Sequence, residues 1–177
     1  CINASGRLDT AARSLALLNA KTKEEAARLA GDLTALNQSR KALTEKGKEE
    51  AIRIIETTEL KNDRVLVVYL PDCHESLAGI IAGRIREKYH RPAFVLTGGE
   101  TSAKGSGRSI ESYSMYEELV KCADLMIQFG GHPMAAGLSI EEKNIEEFRR
   151  RLNVNCTLTD EELRPKIVID VPMPVSY

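Results

Sequence analysis

The chain has 177 residues, 42% hydrophobic and 29% charged, which is ordinary for a globular protein with one good core. Its net charge of −1 excludes a whole-chain basic surface, so any site for a polyanion must be local. No apolar run is long enough to span a bilayer, and the lack of Trp with few Phe and Tyr excludes a wide platform of stacking aromatics.

Residues Asp9 to Asn19 carry a short apolar-rich helix pattern. Thr22 followed three residues later by Glu25 has the form of a capping box, and nothing forces a break from there to about Thr57. Leu29, Leu33, Leu36, Leu43, Ala51 and Ile54 follow three-to-four spacing, with Arg40 and Gly47 interrupting the seam. A helix of roughly 35 residues would be roughly 50 Å long. One narrow stripe on so long a helix predicts a strut between domains, with a self-paired coiled coil as the alternative.

Arg64 to Leu70 reads as a buried strand ended by Pro71. Ser76 to His90 predicts a helix with Leu77, Ile80, Ile81, Ile85 and Tyr89 on one face. Gly79 and Gly83 make a smooth patch on it where another backbone can approach. Pro92 to Thr97 is the next strand, which predicts a parallel pair with a right-handed crossover. Gly98-Gly99 predicts a turn, and a further strand is expected to lead into a loop at Gly105–Ser109. Ser114 and Glu117 form a second capping-box pattern, opening a helix to about Ala123. Leu125 to Phe129 reads as a short strand or a helix end, and Ala136 to Ile140 as a strand after a Gly-Gly-His turn. Glu141 to Leu152 is amphipathic, with Ile145, Phe148 and Leu152 inward. Thr159 to Glu162 caps a last turn, and Lys166 to Val171 reads as a strand. The start at Cys1 without Met and this final run read as a piece cut from a longer protein.

Two glycine-rich clusters hold the candidate chemistry. The first is Lys104-Gly105-Ser106-Gly107-Arg108-Ser109. As a loop it would cradle a phosphate with main-chain N–H groups, two hydroxyls and the guanidinium fork of Arg108. A β-turn with an exposed Arg is the plain alternative. The second is Gly130-Gly131-His132, where two glycines would let imidazole and backbone reach one ligand. His74 stands between a strand and a helix, at an edge where α/β sheets hold ligands. Cys73 beside it lacks an orienting third group, so a Cys-His nucleophile is discounted. Asn3, Arg7 and Asp9 form a polar group near the start, which could equally be a helix-start loop. Arg84, Arg86, Lys88, Arg91, Lys104 and Arg108 face only Glu87 and Glu100, a local basic excess or a solvated helix face. Cys1, Cys73, Cys122 and Cys156 have no zinc-ligand spacing and read as reduced, cytoplasmic thiols. Three scattered His cannot build a two-metal centre.

The segments Cys1–Leu8, His74–Arg84, Arg91-Pro92, Lys104–Ser109 and Phe129–Gly137 together resemble, in order, the RecJ family of bacterial single-strand-specific exonucleases, within the DHH phosphoesterase superfamily. The resemblance runs from residue 1 to about 153. Where many members have Trp-His-x-Gly, this chain has Cys73-His74-Glu75-Ser76.

The resemblance implies an α/β fold: a long connector helix followed by a mixed-sheet DHH-associated domain with helices packed on the sheet. It implies that residues 1–20 are the tail of a DHH catalytic domain and 21–61 the connector. Residues 62–153 would be the substrate-binding domain, and 154–177 a linker and first strand of an OB-type domain. It implies 5′-to-3′ degradation of single-stranded DNA with Mn2+ or Mg2+ held by DHH motifs that this chain lacks. No metal or catalytic residue is then expected here, with His132 a possible accessory. The expected phosphate-binding set is Asn3, Arg7, His74, Lys104, Gly105, Ser106, Gly107, Arg108, Ser109, Gly130, Gly131 and His132. A phosphodiesterase for oligoribonucleotides or cyclic dinucleotides, and a non-catalytic nucleic-acid-binding module, are the alternatives.

Overall fold

The computed structural model describes residues 2–166 and Val171. Residues 167–170 of the strand expected at Lys166–Val171 lie outside the described residues. The helix expected over Asp9–Asn19 is α2 (Ala12–Leu18), and the polar segment before it, with Asn3 and Arg7, is a further short helix, α1 (Ile2–Leu8). Asp9 and Thr10 separate them: the Asp9 carboxylate accepts from the Thr10 N–H, and the Thr10 hydroxyl from the Ala12 N–H. Short polar side chains that bond adjacent N–H groups compete with a continuous helix.

The long helix α3 runs over Lys23–Thr57, 35 residues. Thr22 Oγ1 accepts from the Glu25 N–H at 3.1 Å, while Glu25 reaches back to the Lys21 N–H, one residue before the usual position. Its buried residues are Leu33, Thr44, Ala51 and Ile55. The stripe is thus rotated from the expected one. Leu43 is exposed, and Thr44 is buried with its hydroxyl donated to Arg40 O at 2.8 Å. Gly47 does not interrupt the seam. A Cβ there would sit 2.6 Å from Ile81 Cδ1, so glycine lets α3 press on the following helix.

The rest is a five-stranded mixed sheet. Strands β1 (Leu66–Leu70) and β2 (Ala93–Thr97) pair in parallel across helix α4 (Glu75–Tyr89). β3 (Ala103–Arg108), β4 (Met126–His132) and β5 (Ala135–Ile140) complete the order β1-β2-β3-β5-β4 with antiparallel pairing. The expected Gly105–Ser109 loop is therefore a strand inside the sheet. The Gly-Gly-His turn is the end of β4, and the hairpin turns at Pro133-Met134.

Two cores sandwich the sheet. On one face Leu66, Val68, Leu70, Ala93 and Val95 pack under α4 and the end of α3. On the other, Val67, Phe94, Leu96 and Leu138 pack under α5 (Met115–Val120) and α6 (Ile145–Val154). Phe94 and Phe148 meet edge to face, 5.4 Å between ring centroids. The glycines of β3 belong to this second core. A Cβ on Gly107 would lie 2.5 Å from Met115 Sδ and 2.6 Å from Phe94. One on Gly105 would lie 3.0 Å from Leu138. Glycine is there because large neighbours fill the space, and no glycine of β3 has a positive φ.

Gly107→Ala is therefore expected to overpack the core and destabilise the fold by about 1–3 kcal/mol. Gly130→Ala, where a Cβ meets nothing within 4 Å, should leave stability within about 0.5 kcal/mol. Urea unfolding of both variants checks the contrast.

Candidate nucleic-acid interface

Strand alternation sends Gly105 and Gly107 into the second core and Lys104, Ser106 and Arg108 to the opposite face. On that face α4 lies over β2 and β3 and α3 over β1, and α4 stops short of β5 and β4. What remains is a trough, with α4 as its wall and β3, β5 and β4 as its floor. Register places three rows side by side: Lys104–Ser139–Gln128, Ser106–Gly137–Gly130 and Arg108–Ala135–His132.

Arg108 runs along the wall. A Cβ on Gly83 would be 4.0 Å from its Cγ, and one on Gly79 would be 2.8 Å from its Nη2. The smooth patch of α4 thus admits a long cationic side chain, not a backbone as expected. The guanidinium lies beside the first turns of α4, where the helix dipole is positive. Its Nη1 donates to Gly107 O at 2.7 Å. Arg7 reaches the same turns: its Nη1 donates to Ser76 O at 2.7 Å, and Ser76 Oγ donates back to Arg7 O at 2.9 Å. Burial first, then the charges of Arg7 and Arg86, hold the Arg108 pKa below its ordinary value.

The local basic excess sorts out by partner. Arg84 pairs with Glu87 at 3.0 Å, Lys88 stands 5.5 Å from the Tyr89 ring centroid, and Arg91 donates to the carbonyls of Lys61 and Asp63. Arg86 has only a 3.8 Å approach to Glu87, and its buried Nε has no partner. Among the described residues, Arg7 and Arg108 make no ion pair with a carboxylate. Three guanidiniums, Arg7, Arg86 and Arg108, therefore lie near one another, with the 3.8 Å approach of Glu87 to Arg86 as their one ion pair among the described residues. Groups of this kind suit a phosphate or another oxyanion.

The other expected residues are placed as follows. Asn3 is exposed on α1. His74 caps α4, its Nδ1 accepting from the Ser76 N–H at 3.3 Å and bonding Ser76 Oγ at 2.8 Å. Burial pushes the Cys73 thiol pKa up, against an activated nucleophile. Lys104 donates to Ser139 Oγ at 3.0 Å. Ser109 is a correction: it is 1% exposed, and its hydroxyl donates to Tyr113 O at 2.5 Å, which leaves no donor for a ligand. Gly131 has φ 153°, and a Cβ there would sit 2.4 Å from Ala135 O, so the hairpin requires glycine. His132 and Arg108 belong to one row of the sheet. They lie on the same face of the sheet with Ala135 between them, about 10 Å apart by strand spacing.

A cavity of about 500 Å³ opens in the trough, lined from α4 by Glu75, Ser76 and Ala78 and from the floor by Lys104, Ser106 and Gln128 among others. Neither Arg108 nor His132 lines it. Sequence reasoning missed Glu75, Ser76, Arg86, Gln128 and Ser139. Ser139 and Gln128 had no motif signal. Arg86 was in the basic run, but only its position one helix face along from Gly79 and Gly83 separates it from the solvated cations. Among the described residues no group of three or more His, Cys, Asp or Glu side chains could hold a metal ion.

The DHHA1 domain family matches residues 62–157, which spans the whole sheet, α4, α5 and α6. The chain belongs to the DHHA1 domain family. It is 39% identical to the single-stranded-DNA-specific exonuclease RecJ of Salmonella typhimurium over 99% of this chain, and 35% identical to that of Bacillus subtilis over 96%. It spans 32% and 22% of those relatives, so about a third of their length or less. The crystal structure of Thermus thermophilus RecJ in complex with Mg2+ superposes with a TM-score of 0.78 at 33% identity, covering 86% of this chain and 24% of that one. A structure of exonuclease RecJ bound to manganese gives 0.75, covering 86% of this chain and 38% of that one. In this DHHA1 domain, then, the trough is formed mainly by family-matched residues, with Arg7 reaching in from α1, outside the match.

Gly79→Ala separates the cation's position from the fold. Ala is favoured over Gly in a helix by about 0.5–1 kcal/mol, so the melting temperature should hold or rise. The new methyl would displace the Arg108 guanidinium, so affinity for a phosphate-bearing strand should fall several-fold. A thermal melt and an anisotropy titration check both; lower stability with unchanged affinity would assign Gly79 to packing alone.

Proposed function

We propose that this chain is the substrate-binding portion of a RecJ-like exonuclease that degrades single-stranded DNA from 5′ to 3′. The cluster of Arg7, Arg86 and Arg108, in which Arg7 and Arg108 make no ion pair with a carboxylate among the described residues, is the observation that carries this reading. Ser106 and Arg108 take a backbone or 5′ phosphate. Arg7, on α1, joins them from the other side of the α4 N-terminus, and Lys104 adds a second cation along the floor. Asn3, His74, Gly130, Gly131 and His132 border the path of the strand. Few phosphates are contacted, so binding by this chain is weak and strongly salt-dependent.

Hydrolysis belongs to the rest of a longer chain. Residues 1–20 are the end of a DHH domain, 21–61 a connector helix, 62–153 the substrate-binding domain and 154–177 the approach to an OB-type domain. Mn2+ or Mg2+ on the DHH domain supplies the activated water of a two-metal phosphodiesterase. The side chains of this chain bind and orient the phosphate and carry no step of bond cleavage, so the isolated chain is inactive. The protein works in the cytoplasm in DNA repair and recombination. The activity of its relatives, single-stranded-DNA-specific exonuclease, supports this substrate over dinucleotides and over structured RNA.

Arg108→Ala should weaken binding of a 5′-phosphorylated single strand by about 1.5–3 kcal/mol, as for a lost charged hydrogen bond. The slope of log affinity against log salt should fall by about one. Titrations at several salt concentrations, with circular dichroism for the fold, check both. Unfolding with the affinity per folded molecule unchanged would make Arg108 structural.

A further inference from the structure

We infer that His74 is a positioning residue: the proton on its Nδ1 fixes Ser76, and through Ser76 the backbone of Arg7, so that the Arg7 guanidinium is held beside Arg108. The inference rests on the phosphate-binding reading above and adds to it a residue that acts on the cluster through its neighbours.

Counting protons at Ser76 gives the assignment. Its Oγ has two close partners, Arg7 O at 2.9 Å and His74 Nδ1 at 2.8 Å. A hydroxyl has one proton to give and lone pairs with which to accept. A carbonyl oxygen only accepts, so the hydroxyl proton goes to Arg7 O. The contact with His74 then takes its proton from the ring, and Nδ1 is the donor. As the cap of α4 the same nitrogen accepts from the Ser76 N–H at 3.3 Å. One nitrogen cannot give a proton to the hydroxyl and receive one from the amide, so the two uses alternate. The distances favour the donor form, because 2.8 Å is a full hydrogen bond and 3.3 Å lies beyond the usual range. In the capping form Arg7 O loses its partner.

The receiving carbonyl is one that needs a donor. Arg7 lies in the last turn of α1, where helix carbonyls lack a partner within the helix. Ser76 supplies one from 69 residues away. Arg7 Nη1 returns a bond to Ser76 O at 2.7 Å. Backbone and guanidinium of Arg7 are thus both tied to one residue, which restrains the side chain from swinging out of the cluster. Ser76 is half-buried and His74 is exposed, so packing does not explain the histidine. Its place is explained by the proton it supplies.

Long-range proton–nitrogen magnetic resonance on the labelled chain in alkaline buffer should show the His74 ring with Nδ1 protonated and Nε2 bare; the reverse pattern overturns the inference. A 5′-phosphorylated single strand is the binding probe, with affinities taken per folded molecule by circular dichroism. His74→Phe, which keeps a flat ring but has no proton to give, and Ser76→Ala should each weaken binding about fivefold, as for one lost hydrogen bond. His74→Asn, which has an amide proton to give, should bind more tightly than His74→Phe. Because His74 acts through Ser76, the double variant His74→Phe with Ser76→Ala should bind no more weakly than Ser76→Ala alone. A histidine that met the strand directly would add its own loss. Additive losses, full affinity in His74→Phe, or no gain from His74→Asn overturn the inference, and the phosphate reading stands as long as Arg108→Ala weakens binding. If Arg108→Ala binds as tightly as the parent chain, both fall.

Discussion

The organising constraint of this molecule is the confinement of the Arg108 guanidinium between β3 and α4, beside Arg7 and Arg86 and, among the described residues, without a carboxylate partner of its own. Burial first, and then the like charges of Arg7 and Arg86, disfavour the charged guanidinium, and the lowered pKa of Arg108 expresses that cost. An arrangement of this sort is relieved by an anion. Everything near it serves the confinement. Gly83 and Gly79 clear the wall of α4 along the length of the side chain. The reciprocal bonds between Arg7 and Ser76 fix α1 to the start of α4. The long helix presses on α4 at Gly47, which steadies the wall from behind.

The second half of the design lies on the opposite face of the sheet. Phe94, Met115 and Leu138 need the space that side chains at positions 105 and 107 would take. Two residues per repeat then force Lys104, Ser106 and Arg108 to the outer face. Core packing and ligand presentation are thus one alternating pattern read from two sides. A substitution at Gly107 acts on stability and one at Gly79 on the position of a cation, although both residues are glycines within reach of the same strand.

Much of this architecture was legible in the sequence. The capping pattern at Thr22 and the uninterrupted spacing to Thr57 gave α3, and the β-branched run before Pro71 with the helix and strand after it gave the parallel pair. The errors have one physical source. Glycine in Lys104–Ser109 and Gly130–His132 was read as freedom of the backbone, whereas only Gly131 has a positive φ. Gly105 and Gly107 answer to neighbours outside their own segment, which local pattern cannot reveal. The same holds for Thr44, buried because its hydroxyl returns to Arg40 O, and for Ser109, whose hydroxyl is used by Tyr113. Arg86 was visible as one of several cations. Its distinction from Arg84 and Arg91 lies in what those two already hold.

The most direct test is a crystal of this chain soaked in selenate, a tetrahedral dianion located by its anomalous scattering. The account predicts a peak within hydrogen-bonding reach of Arg108 and of at least one of Arg7 and Arg86, on the side facing Ser106. Side chains turned away to pair with carboxylates, or anion peaks elsewhere and none at this cluster, would contradict it.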